Sequence, residues 1–296
     1  MLALVGPTAV GKSALALRVA PAIDAEIVSV DSATVYRKMD VGTAKPNAGD
    51  RAAVRHHLLD RVDPWDTPTV ADFQRWGREA VAEILEGGKV PLLVGGSGLY
   101  FRAVVDPLEF PGTDPELRRQ LEAELAESGP EKLYRRLVVA DPAAAEKIHP
   151  SNTRRTIRAL EVLALTGEPF SSFRNAWEER RSIYDLCAVG LTLPTEELDR
   201  RIDVRIDTQL NAGWVDEVAR LREVGGFSGT SIKVLGYAHI LSYLDGSASI
   251  EETAAQIKQR TRQFARRQLR WFRADPRIKW FEEPEQAAEY LIENAR

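Results

Sequence analysis

The stretch Gly6-Pro7-Thr8-Ala9-Val10-Gly11-Lys12-Ser13 decides the fold of this chain. It follows the apolar run Leu2–Val5, which predicts a strand, and it precedes Ala14–Ala20, which predicts a helix. A glycine-rich loop between a strand and a helix is typical of a P-loop, whose backbone N–H groups and helix dipole hold phosphate oxygens. In such a loop Lys12 reaches the outer phosphates and Ser13 places its hydroxyl on Mg²⁺. The sequence therefore predicts a site for a diphosphate or a triphosphate.

The composition narrows the class of protein. The chain has 296 residues, 44% of them hydrophobic, which is enough for one large domain or for a core with a smaller domain. Its net charge of −4 does not by itself indicate a nucleic-acid partner. Cys187 is the single cysteine, so an internal disulfide is excluded and a reducing cytoplasm is the expected compartment. No apolar run approaches the roughly 20 residues that span a membrane, so we expect a cytoplasmic protein without membrane contact.

The first hundred residues alternate between strand and helix signals. Glu26–Val30 and Val90–Val94 read as strands, and Val70–Glu86 has apolar residues at helical spacing. This order predicts an α/β fold, a P-loop NTPase-like parallel sheet flanked by helices. Ligands of such sheets bind at the carboxyl ends of the strands, where the P-loop, Asp31-Ser32 and Gly95–Gly98 should converge on one cleft.

The character of the chain changes after residue 106, where prolines and charged residues become frequent. We expect residues 111–179 to form a mainly helical insertion, and residues 1–110 and 180–296 to form the P-loop core with C-terminal helices. Tyr184–Leu193 returns to strand character. Everything after Pro194 is predicted to be helical, including a helix over 232–244.

Asp31 ends the second predicted strand and should lie close to the bound phosphates. A carboxylate there either helps to hold Mg²⁺ or water, as in P-loop NTPases, or acts as a general base toward a bound nucleophile. It could also simply cap a turn. No later strand ends in an apolar run followed by an acid, which argues against an ATP-hydrolysing motor.

Two histidines, His56 and His57, are followed by Asp60 and suggest a metal site at first sight. Adjacent residues of a strand point to opposite faces, and neither a cysteine nor a further histidine lies nearby. A structural role in a loop is the preferred interpretation.

Basic residues are concentrated in two places despite the acidic total. One cluster lies in Asn152–Arg158, and the second is a stripe at four-residue spacing, Lys258, Arg262, Arg266 and Arg270. Phe264 and Trp271 are interleaved with this stripe. A stripe of one sign with adjacent aromatics favours a phosphate backbone as partner. The alternative is a solvated helix face that pairs with acids such as Glu251, Glu252 or the Glu282–Glu285 cluster.

These residues resemble those of the tRNA dimethylallyltransferases (tRNA isopentenyltransferases) over nearly the whole chain. The matching stretches, in chain order, are Gly6–Ser13, Asp31–Pro46, His57–Asp60, Gly95–Tyr100, Asp141–Ala145, Ile148–Pro150, Arg158–Val162, Thr166-Gly167, Gly213-Trp-Val-Asp-Glu217 and Arg267–Arg273. The order and spacing of so many stretches are far more specific than the P-loop alone.

The resemblance implies transfer of a dimethylallyl group from dimethylallyl diphosphate to N6 of the adenosine 3′ of the tRNA anticodon. The P-loop, Gly6–Ser13, would then hold the leaving diphosphate, with Mg²⁺ on Ser13, and ATP would not be needed. Asp31 would accept the proton of the adenine amine, with Thr8 and Lys12 as the other catalytic residues. Adenine would have to leave its stack to reach the site.

The resemblance also implies a tRNA interface, in which the insertion clamps the anticodon stem-loop. Together with the basic stripe, the predicted tRNA contacts are Asp31, Ser32, Ala33, Thr34, Ser97, Arg118, Arg154, Arg155, Arg158, Lys233, Arg262 and Arg266. We expect the enzyme to act as a monomer. The alternatives are an adenine-nucleotide isopentenyltransferase and an RNA-binding P-loop NTPase without transferase activity.

The chain departs from the family pattern at one place. Gly236-Tyr237-Ala238-His239 stands where many members have Gly-Tyr-Arg-Gln. An arginine expected to contact the diphosphate or the tRNA is therefore missing, and Lys233 or His239 is the candidate replacement.

Overall fold

The computed structural model describes residues 1–295 of the chain. Its six strands are β1 Leu2–Val5, β2 Ala25–Ser29, β3 His56–His57, β4 Val90–Gly95, β5 Cys187–Leu191 and β6 Ile278–Phe281. Its α-helices are α1 Lys12–Val19, α2 Ala48–Ala53, α3 Val70–Glu86, α4 Gly98–Val105, α5 Pro115–Ala140, α6 Pro142–Ala145, α7 Thr153–Thr166, α8 Asn175–Glu179, α9 Thr195–Asn211, α10 Trp214–Val224, α11 Tyr237–Leu244, α12 Ile250–Arg273 and α13 Pro284–Glu293.

The chain divides into two compact units. The first contains Met1–Val105 together with the chain from Tyr184 onward, and the second is Asp106–Ile183. The predicted insertion, residues 111–179, lies inside the second unit.

The first unit is built on one parallel sheet with the order β3-β2-β4-β1-β5-β6. The central strand β1 is buried along its whole length, as is β2. Apolar residues at every position are expected when helices cover both faces of a parallel sheet. The predicted parallel α/β fold is confirmed, and all strands end at the same edge, where β1, β2 and β4 lead into the P-loop, Asp31 and Gly95–Gly98.

Two long helices of the first unit have strong N-terminal signals. Thr69 and Asp72 form a reciprocal capping box at the start of α3, and Ser249 and Glu252 form one at the start of α12. Such caps satisfy N–H groups that have no partner within the helix. The predicted start of α3 at Val70 and its end at Glu86 are confirmed.

Two predictions for the C-terminal part are wrong. The helix expected over 232–244 is interrupted, because Val234 is extended and Gly236 has a φ of +97°, so a 3₁₀ turn at Ser231–Lys233 precedes α11. The stretch after Pro194 is not entirely helical, because β6 pairs with β5 at the sheet edge.

The second unit has its own small apolar core. Helix α5 packs on α7 and is kinked at Gly129, whose φ of +78° precedes Pro130. The core residues are Leu121, Leu133, Leu137, Ala144, Ala145, Ile148, Ile157, Ala159 and Leu160. The helices are therefore held together by burial of apolar side chains.

Among the helices of residues 1–295, none combines the length and the apolarity needed to cross a membrane.

Candidate active site

The P-loop begins directly after β1 and ends in the first turn of α1. Gly6 has a φ of +143°, and a Cβ there would lie 2.6 Å from the carbonyl oxygen of Leu191 on β5. Gly11 has a φ of +106° at the N-cap of α1 and has no side-chain cap on it. Only glycine adopts these conformations without cost. The amides at the start of α1 are thus left free to bind an anion.

A cavity of about 440 Å³ lies over this loop, within the first unit. The P-loop, Ser29 and Asp31 of the β2 end, and Gly95 and Gly96 of the β4 end all line it. Helices α9 and α12 contribute further side chains, and the segment Thr43–Pro46 contributes another part of the wall. The three strand ends therefore meet at one cleft, as the sequence predicts.

Lys12 points back onto its own loop. Its Nζ donates to the carbonyl oxygen of Pro7 at 2.7 Å. Burial lowers the pKa of Lys12 to about 7, an effect that Asp31 opposes and Arg205 reinforces. Because a buried ammonium is costly without a negative partner, this lysine favours an anion in the cavity.

Asp31 follows the end of β2 and lines the cavity, and one of its carboxylate oxygens is hydrogen-bonded. Its Oδ1 accepts the N–H of Ala33 at 2.9 Å. The hydroxyls of Thr34 and Ser29 lie 2.9 Å apart, and the N–H of Ser32 donates to Ser97 Oγ at 3.4 Å. The structure thus brings together the five residues predicted from the β2 and β4 ends, while Oδ2 of Asp31 makes no hydrogen bond within the described chain.

Thr8 is held by a residue that the sequence analysis missed. The N–H of Thr8 donates to Oε1 of Gln268 at 2.9 Å, and Nε2 of Gln268 donates to the carbonyl oxygen of Gly96 at 2.9 Å. Gln268 lies on α12 and is buried. Its amide therefore connects the P-loop to the loop after β4.

The cavity also contains two arginines that the sequence analysis missed. Arg201 and Arg205 lie four residues apart on α9 and both line the cavity. Burial lowers the pKa of Arg205, while Asp31 opposes the shift. The sequence contains a signal for these arginines. Ile202 and Ile206 form the buried face of α9, and the arginines each precede one of them and lie beside that face.

The basic stripe of α12 is largely paired with α9. The ion pairs are Lys258–Asp207 at 2.6 Å, Arg262–Asp203 at 2.5 Å and Arg266–Asp199 at 2.7 Å. The sequence analysis considered pairing of the stripe with acids as the alternative to tRNA binding. The stripe is paired, but with acids of α9 and not with the acids named there. A role of Arg262 and Arg266 in tRNA binding stays a prediction, and their charges are already balanced in the free protein.

A different face of α12 meets the cavity. Phe264 lines the cavity, and the guanidinium carbon of Arg267 lies 5.8 Å from the centre of its ring. Arg267 is exposed and has no acidic partner within the part of the chain that the structure describes. An aromatic ring beside an unpaired cation is the combination that binds single-stranded nucleic acid.

In the second unit the predicted tRNA residues fall into two groups. Arg118 and Arg158 donate to the fully buried Glu161 at 2.6 and 2.7 Å. Burial raises the pKa of this carboxyl, but the hydrogen bonds from the two arginines outweigh burial and keep the pKa below its usual range. Arg154 and Arg155 are exposed at the start of α7. A cation at a helix N-terminus opposes the helix dipole, so this pair does not serve helix stability.

The replacement expected for the missing arginine is not found at the cavity. Lys233 and Ala238 are exposed, and neither Lys233 nor His239 is among the residues that line the cavity. The cavity arginines come from α9 instead.

The two histidines have structural partners. His57 Nε2 and Glu26 Oε2 are 2.7 Å apart, and His56 Nδ1 lies 2.8 Å from the carbonyl oxygen of Val54. Within residues 1–295, no group of three or more His, Cys, Asp or Glu side chains is arranged to hold a metal ion.

Comparison with known proteins identifies relatives of this arrangement. The model of the IPP transferase family matches residues 34–275. The chain is 49% identical to the tRNA dimethylallyltransferase of Thermobifida fusca over 95% of its own length and 89% of that protein. It is also 49% identical to the tRNA dimethylallyltransferase of Acidothermus cellulolyticus, over 98% and 91% of the two chains.

Solved structures give the same result. The full-length tRNA isopentenylpyrophosphate transferase from Bacillus halodurans matches with a TM-score of 0.72 and 37% identity, over 99% of this chain and 97% of that one. A eukaryotic dimethylallyltransferase acting on tRNA matches with a TM-score of 0.81 and 27% identity, over 97% and 75%.

Proposed function

Since this chain belongs to the IPP transferase family and is a tRNA dimethylallyltransferase, we propose that its cavity is the site of transfer. The donor is dimethylallyl diphosphate, and the acceptor is N6 of the adenosine 3′ of the tRNA anticodon. The observation that carries the proposal is that the P-loop and Asp31 line the same cavity. A diphosphate in the P-loop therefore has a carboxylate beside its reacting end.

The donor is held by its diphosphate. The free amides at the start of α1, together with Lys12 and Arg205, surround the phosphate position with positive charge. As the bond between C1 of the dimethylallyl group and the diphosphate oxygen breaks, negative charge grows on the leaving group. Preorganised donors in a partly buried cavity stabilise that charge more than water does.

The acceptor is activated by Asp31. The lone pair of the adenine amine is delocalised into the ring, so N6 attacks C1 more readily if its proton is removed during the attack. The new bond is N6–C1, the bond lost is C1–O, and the proton passes to Oδ2 of Asp31. General-base catalysis of this kind contributes roughly 10²- to 10⁴-fold. The bond from Ala33 N–H to Oδ1 keeps the carboxylate in place.

Ser13 fits the Mg²⁺ expected in such a site. Its hydroxyl lies at the start of α1 and on the cavity, and it makes no hydrogen bond within the described chain. Mg²⁺ prefers oxygen ligands and is commonly bound through substrate phosphates with few protein ligands. When bound, it would neutralise charge on the diphosphate.

The tRNA reaches the cavity along the α12 face that contains Phe264 and Arg267. Adenine must leave its stack, and an aromatic ring at the cavity gives the base a surface to stack on. Arg154 and Arg155 of the second unit are exposed cations suited to phosphates of the anticodon stem-loop. We expect the enzyme to act as a monomer.

The test is incubation of the protein with labelled dimethylallyl diphosphate and three acceptors. These are unmodified tRNA, the same tRNA with guanosine 3′ of the anticodon, and AMP. We expect label only on the first. Label on AMP alone would indicate an adenine-nucleotide isopentenyltransferase, and label on none of them would refute the proposal and leave an RNA-binding NTPase.

A further inference from the structure

A buried carboxylate outside the catalytic group is surrounded by hydrogen-bond donors. Glu217 lies on α10, and its side chain is almost completely removed from solvent. Its Oε2 accepts the N–H groups of Asp40 and Val41, both at 2.7 Å, and its Oε1 accepts the N–H of Gly42 at 3.2 Å. Burial of a carboxylate is costly unless its oxygens are hydrogen-bonded, and these donors meet that need.

The hydroxyl of Tyr237 gives Glu217 a fourth donor, at 2.7 Å from Oε1. Burial and the neighbouring carboxylate raise the pKa of Tyr237, so its phenol stays protonated and donates. Gln209 of α9 binds the carbonyl groups of the same loop, because its Nε2 donates to the carbonyl oxygens of Val41 and Gly42 at 2.8 and 2.9 Å. We call Glu217, Tyr237 and Gln209 the clasp.

The loop packs tightly against Trp214 and Tyr237 at Gly42. A Cβ on Gly42 would lie 2.2 Å from Nε1 of Trp214 and 2.6 Å from the hydroxyl oxygen of Tyr237. The loop therefore runs directly against α10 and α11 at this point.

The segment that follows the clasp forms part of the cavity. Thr43, Ala44, Lys45 and Pro46 all line it. Nζ of Lys45 is bound to Asp40 at 2.8 Å and to Asp60 at 2.6 Å, so this wall is tied to the residues that the clasp holds. Between β2 and α2 the chain has no regular helix or strand, so side-chain contacts supplement turn hydrogen bonds such as that from the N–H of Lys45 to the carbonyl oxygen of Asp40.

Three stretches that the proposed reaction leaves without a role meet here. They are residues 39–46, Gly213-Trp-Val-Asp-Glu217, and the Gly236-Tyr237 pair. We propose that Glu217 is a positioning residue, which captures the N–H groups of residues 40–42 and thereby fixes Thr43–Pro46 as one wall of the active site. This inference rests on the proposed function, because the cavity it shapes is the proposed site of transfer.

The experiment compares Glu217→Gln and Tyr237→Phe with the unchanged protein. The amide NH₂ of the glutamine would face backbone N–H groups, whereas the phenylalanine removes one donor and leaves the three backbone bonds. Asp275→Asn is the matched control, since Asp275 is also a buried carboxylate of the first unit but accepts hydrogen bonds from Arg277, whereas Glu217 accepts those of residues 40–42.

The first measurements use the protein alone. We expect amide hydrogen exchange at residues 40–42 to become at least tenfold faster in Glu217→Gln, faster to a smaller degree in Tyr237→Phe, and unchanged in Asp275→Asn. The Kd of inorganic pyrophosphate should stay within threefold in all three, because the hydrogen bonds of the clasp go to residues 40–42 and not to the P-loop. Unchanged exchange at residues 40–42 would overturn the proposal.

The second measurements use the full reaction, well below the unfolding temperature of each variant. We expect kcat to fall at least tenfold in Glu217→Gln and to a smaller extent in Tyr237→Phe, which covers the case in which the first variant does not fold. Faster exchange at unchanged kcat and KM would refute a positioning role. Absence of transfer by the unchanged protein would refute the proposed function instead. The exchange and pyrophosphate measurements would then still decide whether Glu217 holds residues 40–42.

Discussion

The lowered pKa of Lys12 predicts that donor binding takes up a proton. In the free protein burial brings this pKa to about 7, so above that pH the side chain is mostly neutral. A diphosphate beside Nζ favours the ammonium form, so binding must add the missing proton. The sign follows from linkage: the affinity for dimethylallyl diphosphate falls as the pH rises through 7.

The magnitude follows from the two protonation states. A group with a pKa of about 7 carries about 0.1 of a proton charge at pH 8, and a fully charged bound state therefore takes up about 0.9 proton. At pH 6 the same arithmetic gives an uptake of about 0.1 proton. Above pH 7 the affinity should weaken by up to about tenfold for each pH unit. The terminal phosphate of the donor, with a second pKa of about 6, adds little at pH 8.

The assay is titration calorimetry of dimethylallyl diphosphate at pH 8 in two buffers with different ionisation enthalpies. Lys12→Arg is the matched control, because a guanidinium stays charged and takes up no proton on binding. Binding heats that do not depend on the buffer would refute the reasoning, since Lys12 would then be charged in the free protein. Equal uptake in Lys12→Arg would assign the proton to another group.

Three further predictions concern separate parts of the molecule. Asp31→Ala should lower kcat by roughly 10²- to 10⁴-fold with little change in the Kd of dimethylallyl diphosphate, and an equal loss of donor affinity would mean that Asp31 acts through Mg²⁺. Glu161→Gln should lower the unfolding free energy by about 1–2 kcal/mol in urea titrations, because it removes the charged partner of Arg118 and Arg158, which are only partly buried. Since the pKa of Glu161 is lowered in the folded protein, this contribution is present above the usual glutamate pKa and is lost as the pH falls through the folded value. Arg267→Ala should reduce the slope of log tRNA affinity against log salt by about one, whereas Arg262→Ala should leave it unchanged, and the reverse result would return tRNA binding to the paired stripe.

The parts of the site that the sequence predicted are those where function and local structure coincide. The P-loop needs glycines at fixed positions between a strand and a helix, and both signals lie within twenty residues. Asp31 was found because parallel strands end at a common edge, so a polar residue after one strand lies near a loop after another.

The residues that were missed depend on tertiary contacts. Gln268 bonds a residue 260 positions earlier in the chain, and a glutamine inside a helix has no local feature that indicates such a partner. The ion pairs of α12 are a different case. Asp199, Asp203 and Asp207 have the same four-residue spacing as the basic stripe. The sequence therefore contained enough information to predict that an acidic face of one helix pairs with the basic face of the other. Strand β6 was missed because four residues are too few for a periodic pattern to decide.

Helix α12 has a different partner on each of its faces. Lys258, Arg262 and Arg266 face α9 and are paired there. Phe264 lines the cavity and has the guanidinium of Arg267 beside its ring, and Gln268, the next residue in sequence, accepts the N–H of Thr8. Because adjacent positions of a rigid helix move together, we expect RNA binding at Phe264 and Arg267, as proposed above, to move the amide that holds the P-loop as well. The ion pairs with α9 oppose such a shift, so we expect the basic stripe to hold α12 in place rather than to bind RNA.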